Sequence, residues 1–221
     1  MGGREGSDEG VGPLSRPFDR DVLSGPVLPA ARELLGAVLE VDSPQGTVAV
    51  ALSEVEAYAG LADPASHAYR GRTARNAVMF GPAGFLYVYF VYGMHWCCNV
   101  VCGPDGEASA VLLRAGRVVA GEELARARRP TARAASELAR GPARLASALG
   151  LVGTDTGADL LDPKAPIRLL AGTRVPDAAV RRGPRVGVAV AAEVPWRIWV
   201  DGDRTVSTYR PGTRRRRRVP T

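Results

Sequence analysis

The chain has 221 residues, of which 46% are apolar, enough for one domain whose core needs no disulfide or metal. Its longest apolar stretch, residues 85–91, is far too short to span a bilayer. The formal net charge is +6, and the six arginines of residues 209–221 account for the whole excess. The basicity therefore belongs to the C-terminal segment, and residues 1–208 are formally neutral.

The cysteines indicate reduced thiols rather than a disulfide or a metal site. There are only three, Cys97, Cys98 and Cys102, and they share one apolar stretch. With two histidines in the chain, a zinc site lacks ligands at metal spacing, and we expect no zinc site. The first twelve residues lack the apolar region of a signal peptide, so we expect a cytoplasmic protein, nucleoid-associated if bacterial.

Hydrophobic spacing predicts the elements in chain order. Helices are predicted over residues 28–39, 118–129 and 137–150. Strands are predicted over residues 37–41, 47–58, 85–91, 96–102, 109–115, 186–192 and 196–200. The fold class is therefore mixed α+β, one domain with a curved, mostly antiparallel sheet flanked by helices over residues 14–208. Residues 1–13 and the Arg-rich residues 209–221 are expected to be disordered tails.

Two carboxylates and a tyrosine are predicted to share one face of the strand over residues 47–58. Side chains at i, i+2 and i+4 point the same way, which groups Glu54, Glu56 and Tyr58. If that face is desolvated, at least one carboxyl pKa should rise, which suits a general base. The alternative is an edge strand whose polar face points at solvent.

Tyrosines dominate residues 85–93, where two strands are predicted to meet around Gly93. Tyr87 and Tyr89 share a face, while Tyr92 stands at the tip, where it could enter a base stack. The alternative is a cross-strand aromatic ladder that fills a core.

Two basic features also stand out. One is the loop of residues 67–76, with His67 and three arginines, which is either a phosphate-binding loop or ordinary surface. The other is residues 113–146, which carry eight arginines against three glutamates and form either a phosphate-binding patch or a solvated helix face. Within the second, Arg114 is either a strand-end charge or a paired charge inside a site.

Several segments in the same order resemble the alkyladenine (3-methyladenine) DNA glycosylase family. They are Glu-Val-Glu-Ala-Tyr at 54–58, Gly-Arg-Thr-Ala-Arg-Asn at 71–76, Tyr-Val-Tyr at 87–89, Tyr-Gly-Met at 92–94, Leu-Leu-Arg-Ala at 112–115, Ala-Arg-Gly-Pro-Ala-Arg at 139–144 and Pro-Arg-Val-Gly-Val at 184–188. The resemblance covers roughly residues 14–208 and keeps both order and spacing.

The resemblance implies a role for each matching residue. Glu56 matches the general base that activates water, and Arg114 and the Val186 carbonyl match the groups that help hold this water. The pocket for the flipped base matches Tyr58, His67, Tyr89 and Asn99, with Asn99 rejecting normal guanine. Residues expected to contact DNA are Tyr92, which fills the gap in the duplex, and Arg72, Arg75, Arg140 and Arg144.

The resemblance implies base-excision repair by a monofunctional DNA-3-methyladenine glycosylase, without metal or cofactor. The enzyme would flip alkylated purines from double-stranded DNA and hydrolyse the N-glycosidic bond, leaving an abasic site. We expect a monomer with no membrane partner. Two other classes stay open on the residues alone: a nucleic-acid-binding module without catalysis, and a carbohydrate hydrolase with paired carboxylates.

Overall fold

A computed structural model describes residues 16–91 and 93–213. The predicted tail of residues 1–13, the tip residue Tyr92 and the arginines of residues 214–218 lie outside the described residues. Within the described part of the C-terminal segment, the Arg210 carbonyl accepts a hydrogen bond from the Gly187 N–H at 2.8 Å. The chain beyond residue 208 therefore still contacts the domain.

One sheet of nine strands organises the described chain, and every paired neighbour runs antiparallel. The main order is β3-β4-β5-β2-β1-β7, with β6 on β5, and β9 between β2 and β8. The strands are β1 Val38–Ser43, β2 Gly46–Tyr58, β3 Leu86–Val91, β4 His95–Val101, β5 Ala110–Ala120, β6 Ala139–Arg140, β7 Ile167–Leu170, β8 Val180–Gly183 and β9 Arg197–Val200. With the helices on this sheet, the predicted mixed α+β class is confirmed.

Among the residues that the structure describes, four short α-helices flank the sheet: α1 Arg20–Ser24, α2 Val27–Glu33, α3 Glu122–Arg128 and α4 Pro142–Leu149. Their apolar sides join the strands in one large core, to which α2 contributes Ala30 and α4 contributes Leu145. A smaller apolar cluster, which contains Tyr87 and Met79, lies apart from it. Within the described ranges no helix has the length and apolarity needed to cross a membrane.

The long strand β2 is central where it carries the two carboxylates. Glu54 and Glu56 pair with β5 on one side and with β9 on the other. Val55 and Ala57 point into the main core, so the alternation predicted for this strand is confirmed. The edge-strand alternative is wrong, because both carboxylates are fully buried.

All three predicted helices are shorter than expected. The helix of residues 28–39 ends at Glu33, and at Gly36 the chain turns with φ +84° into β1. The helix of residues 118–129 begins only at Glu122, because Val118 extends β5 against Val50. The helix of residues 137–150 begins at Pro142, since residues 139 and 140 pair with β5 first. Sheet pairing therefore overrides local helix spacing at both later positions.

The strand predicted over residues 186–192 is wrong. This segment is irregular, and Gly187 at φ +72° and Ala191 at φ +48° adopt backbone angles that a strand excludes. On the side away from β2, strand β9 pairs with β8, Val180–Gly183, a strand that the spacing did not predict. The unpredicted β7 completes the edge beside β1.

Candidate active site

Glu56 lies fully buried on β2, and each of its carboxylate oxygens has a donor. Oε1 accepts the Val186 backbone N–H at 2.6 Å, and Oε2 accepts the Tyr58 hydroxyl at 2.9 Å. The Arg114 guanidinium reaches Oε2 through Nη1 at 3.3 Å. Burial raises the pKa of Glu56, and it outweighs Arg114, Val186 and Tyr58, which lower it, while Glu54 raises it slightly further. The result is a buried carboxylate poised to take up a proton.

Arg114 is a buried, paired charge and not the strand-end charge of the alternative interpretation. It lies in the middle of β5, at a β-bulge: Val55 pairs with Leu113 and Glu54 with Ala115, which leaves Arg114 without a partner residue. A bulge redirects the side chain of its extra residue. Here the guanidinium lies beside both carboxylates, 2.9 Å from Glu54 through Nε and 3.3 Å from Glu56 through Nη1.

A cavity of about 60 Å³ is lined by Tyr58, the residue whose hydroxyl binds Glu56. Its wall contains all four residues that the sequence predicts for the base pocket, Tyr58, His67, Tyr89 and Asn99. Ala65, Ser66 and Met79 complete the wall. Strand β2, the loop after it, β3 and β4 thus converge on one recess.

The aromatic part of the wall is held by ring contacts. The His67 ring stands edge-on to Tyr89 with 4.6 Å between centroids, and Tyr87 stacks on Tyr89 at 5.3 Å. Desolvation and the nearby Arg75 lower the pKa of His67, so its ring is neutral at physiological pH. Burial raises the pKa of Tyr58 and Tyr89 well above the usual value, so both keep their hydroxyl proton.

Asn99 brings a free acceptor to the cavity. Its side chain is buried on β4, and its Oδ1 has no hydrogen-bond partner among the described residues. A buried amide oxygen without a partner is costly. A donor on a bound ring would satisfy it.

A buried ion pair behind the cavity was not predicted from the sequence. Arg185 binds both oxygens of Asp63, with 2.9 Å between Nη2 and Oδ1, and also donates to the Ala57 carbonyl. Its guanidinium lies 4.6 Å from the centroid of the Tyr58 ring and 5.2 Å from that of Trp196. Because Asp63 and Arg185 lie 122 positions apart, no local spacing links them.

The residues predicted to contact DNA lie at several places on the surface. Arg72 and Arg75 are both exposed. Arg75 lies near the cavity, with its guanidinium carbon 6.0 Å from the centroid of the Tyr89 ring. Its Nη2 donates a hydrogen bond to the Phe90 carbonyl. Arg140 is half-buried on β6, and Arg144 is exposed on α4. Tyr92 lies outside the described residues.

The three cysteines are free and buried, and the pKa of Cys97 is raised by burial to about 11. Across the described residues, no three or more Cys, His, Asp or Glu side chains are grouped as a metal site would require. The functional groups of the cavity wall are aromatic rings, an amide and a hydroxyl, and the carboxylate of Glu56 is linked to the wall through Tyr58. The chemistry that they can supply is stacking, hydrogen bonding and proton transfer.

Comparison with known proteins matches the sequence of the chain to one family. A family described as "Methylpurine-DNA glycosylase" matches residues 21–204. A Streptomyces avermitilis protein is 56% identical over 209 residues, which cover 94% of this chain and 98% of the relative. A Nocardia farcinica protein is 57% identical, covering 84% of this chain and 88% of the relative, and a Mycobacterium bovis protein is 50% identical, covering 84% and 90%.

All three relatives carry the name 3-methyladenine DNA glycosylase, given provisionally. The length of the chain that these matches cover and their sequence identities together define the protein class, a DNA glycosylase that acts in base-excision repair. The chain belongs to the methylpurine-DNA glycosylase family. The resemblance inferred from the motifs is confirmed.

Proposed function

We propose that this glycosylase hydrolyses the N-glycosidic bond of alkylated purines flipped out of double-stranded DNA, with Glu56 as general base. The observation that carries the proposal is the position of Glu56, a fully buried carboxylate joined through Tyr58 to an aromatic cavity. A base inside a duplex cannot reach such a recess, so the nucleotide must first leave the stack.

The wall of the cavity supports binding of a flat ring. Tyr58, His67 and Tyr89 offer aromatic surface from three different segments, and base–aromatic stacking contributes about 1–3 kcal/mol per base. Alkylated purines that carry positive charge gain further from the electron-rich faces of the tyrosines. Asn99 also lies in the wall, and its role in rejecting normal guanine is proposed from the family resemblance, because its oxygen, which has no partner among the described residues, is an acceptor and would not by itself repel an exocyclic amine.

The proposed reaction is balanced without a cofactor. The oxygen of a water molecule bonds to C1′ of the deoxyribose while the bond from C1′ to the purine nitrogen breaks. The electron pair of that bond leaves with the purine, and the proton of the water passes to Glu56. The ionised carboxylate also offsets positive charge that develops on the sugar. Arg114 and the Val186 carbonyl are proposed to help hold the water, while the Val186 amide binds Glu56.

The proposal is of a monofunctional enzyme. Coupled strand cleavage needs an amine that forms a Schiff base with the sugar. The chain has one lysine, Lys164, which lies in the turn before β7 and is not part of the cavity wall. The side chains at the cavity therefore favour hydrolysis by water over attack by an amine.

We propose that the enzyme acts as a monomer. Five of its residues are proposed to contact the duplex. Tyr92 would fill the space that the flipped nucleotide leaves. Exposed Arg75, near the Tyr89 ring, is suitably placed to contact a phosphate beside the cavity. Arg72, Arg140 and Arg144 are proposed to contact the DNA backbone farther along.

The test is release of free base from alkylated duplex DNA by the wild type and by Glu56→Gln. The wild type should release methylated purine, and the variant should be about 10²–10⁴-fold slower, since general-base catalysis contributes that much. DNA affinity should be retained. The matched control is Glu40→Gln, a carboxylate paired with Arg168 at 2.6 Å on β1, which should keep wild-type turnover.

Two results would overturn the proposal. Wild-type turnover by Glu56→Gln would remove the general base. Tight DNA binding without base release by the wild type would favour a binding module instead.

A further inference from the structure

Glu54, the second carboxylate on the face of β2, has a different environment from Glu56. It is fully buried and accepts four hydrogen bonds. Oε1 accepts Arg114 Nε at 2.9 Å, Arg197 Nε at 2.7 Å and the Ser207 hydroxyl at 2.9 Å. Oε2 accepts the Ser207 backbone N–H at 2.6 Å. Two guanidinium groups and Ser207 therefore already bind this buried carboxylate.

Arg114 is consequently shared between the two carboxylates unequally. Its Nε donates to Glu54 at 2.9 Å, and its Nη2 donates to the Ser207 hydroxyl at 3.2 Å. Only Nη1 faces Glu56, at 3.3 Å. A bidentate arginine–carboxylate pair would strongly stabilise an ionised carboxylate. Glu54 and Ser207 prevent that geometry at Glu56.

The end of the domain takes part in the same network. The Ser207 carbonyl accepts a hydrogen bond from Nη2 of Arg197 at 2.7 Å. The Val206 carbonyl accepts one from Nε of Arg140 at 2.9 Å. Thr205 lies 2.6 Å from the hydroxyl of Ser53, next to Glu54. Residues 205–207 are therefore anchored beside the carboxylates, although they follow the last strand.

We propose that Glu54 is a positioning residue, which holds Arg114 and Ser207 so that Glu56 receives only part of the charge of Arg114 and stays a strong base. The proposal rests on the function assigned to Glu56. Glu54 does not touch the substrate in this scheme. Its effect reaches the reaction through Arg114.

Replacing Glu54 by glutamine keeps the shape and removes the charge. Arg114 would then have Glu56 as its only anionic partner, and a like charge beside Glu56 would be lost. Both changes favour ionised Glu56, so its proton affinity should fall. The other groups that face Glu56 are Tyr58 of β2, Tyr89 of β3, and Arg185 and the Val186 amide of the segment after β8, and the variant leaves them unchanged.

The experiment is a carboxyl titration followed by ¹³C NMR in the full-length protein, with Glu56→Gln identifying the Glu56 signal. In Glu54→Gln the Glu56 titration should move about one pH unit lower. The acid limb of base release should move with it, and kcat should fall because the base is weaker. Glu40→Gln is the control and should leave both unchanged.

A second variant tests the sign and covers failure of the first to fold. Arg197→Gln removes a cation from Glu54, so the titration of Glu56 should move upward. Unchanged titration of Glu56 in folded Glu54→Gln would overturn the proposal, as would a downward shift in Arg197→Gln. If the titrations move as expected but Glu56→Gln retains turnover, the positioning stands and the proposed function fails, so the two failures are distinguishable.

Discussion

The Asp63–Arg185 pair offers the sharpest test of how this site is held together. Asp63→Ala removes the carboxylate that binds both amino groups of Arg185. Neither side chain has meaningful contact with solvent, with 1% of Asp63 and none of Arg185 exposed. The variant therefore leaves a buried guanidinium that, among the described residues, keeps one hydrogen-bond acceptor, the Ala57 carbonyl.

The expected cost follows from that burial. Breaking a buried pair by removing one partner costs about 3–5 kcal/mol, mostly because the remaining charge is uncompensated. For a chain of this size, 1 kcal/mol corresponds to about 2–4 °C in Tm, so Tm should fall by about 10 °C. The wall of the cavity should loosen as well, since Asp63 also accepts the N–H of Ala65, a wall residue, at 3.0 Å.

The assay is urea and thermal unfolding of Asp63→Ala beside a matched control, Asp201→Ala. Asp201 also pairs with an arginine, Arg181 at 2.7 Å, but about half of each side chain is exposed. Exposed pairs contribute about 0–1 kcal/mol, so the control should lose little stability. Removing both charges in Asp63→Ala/Arg185→Met should recover part of the loss. Equal losses in the two single variants would refute the reasoning.

Two further predictions concern pH and salt. Burial raises the pKa of Glu56 above 4.5, the ordinary value that applies in the unfolded chain, so the folded state binds this proton more tightly. The stability that this group contributes is complete below pH 4.5 and is lost as pH rises through the raised folded-state pKa. The Tm of Glu56→Gln relative to wild type should therefore increase across that window, and a difference independent of pH would count against a raised pKa. Deleting residues 214–221, which contain five consecutive arginines, should flatten the dependence of DNA affinity on salt, measured as the slope of log K against log salt concentration, and an unchanged slope would exclude a role for them.

The local pattern of the chain was sufficient for the parts of the site that lie on single strands. Side chains alternate with a period of two, so Glu54, Glu56 and Tyr58 had to share a face wherever that strand was placed. The same rule grouped Tyr87 with Tyr89, which stack at 5.3 Å. The pattern could not decide whether these faces meet solvent, because burial depends on which other segments pack against them.

The tertiary structure decided that question through contacts between distant residues. Strand β9 pairs with β2 beside Glu54 and Glu56, so this part of β2 is not an edge. The segment after β8 brings the Val186 amide to Glu56 from 130 positions away in the sequence. A backbone amide leaves no signal in side-chain chemistry, and the alternating valines of residues 186–192 predict a strand that the structure does not form. The family resemblance assigned roles to Glu56 and Arg114 because both lie in segments that match the motifs of the family. The division of Arg114 between two carboxylates, with Ser207 binding one of them, depends on a bulge and on chain packing, which residue spacing does not encode.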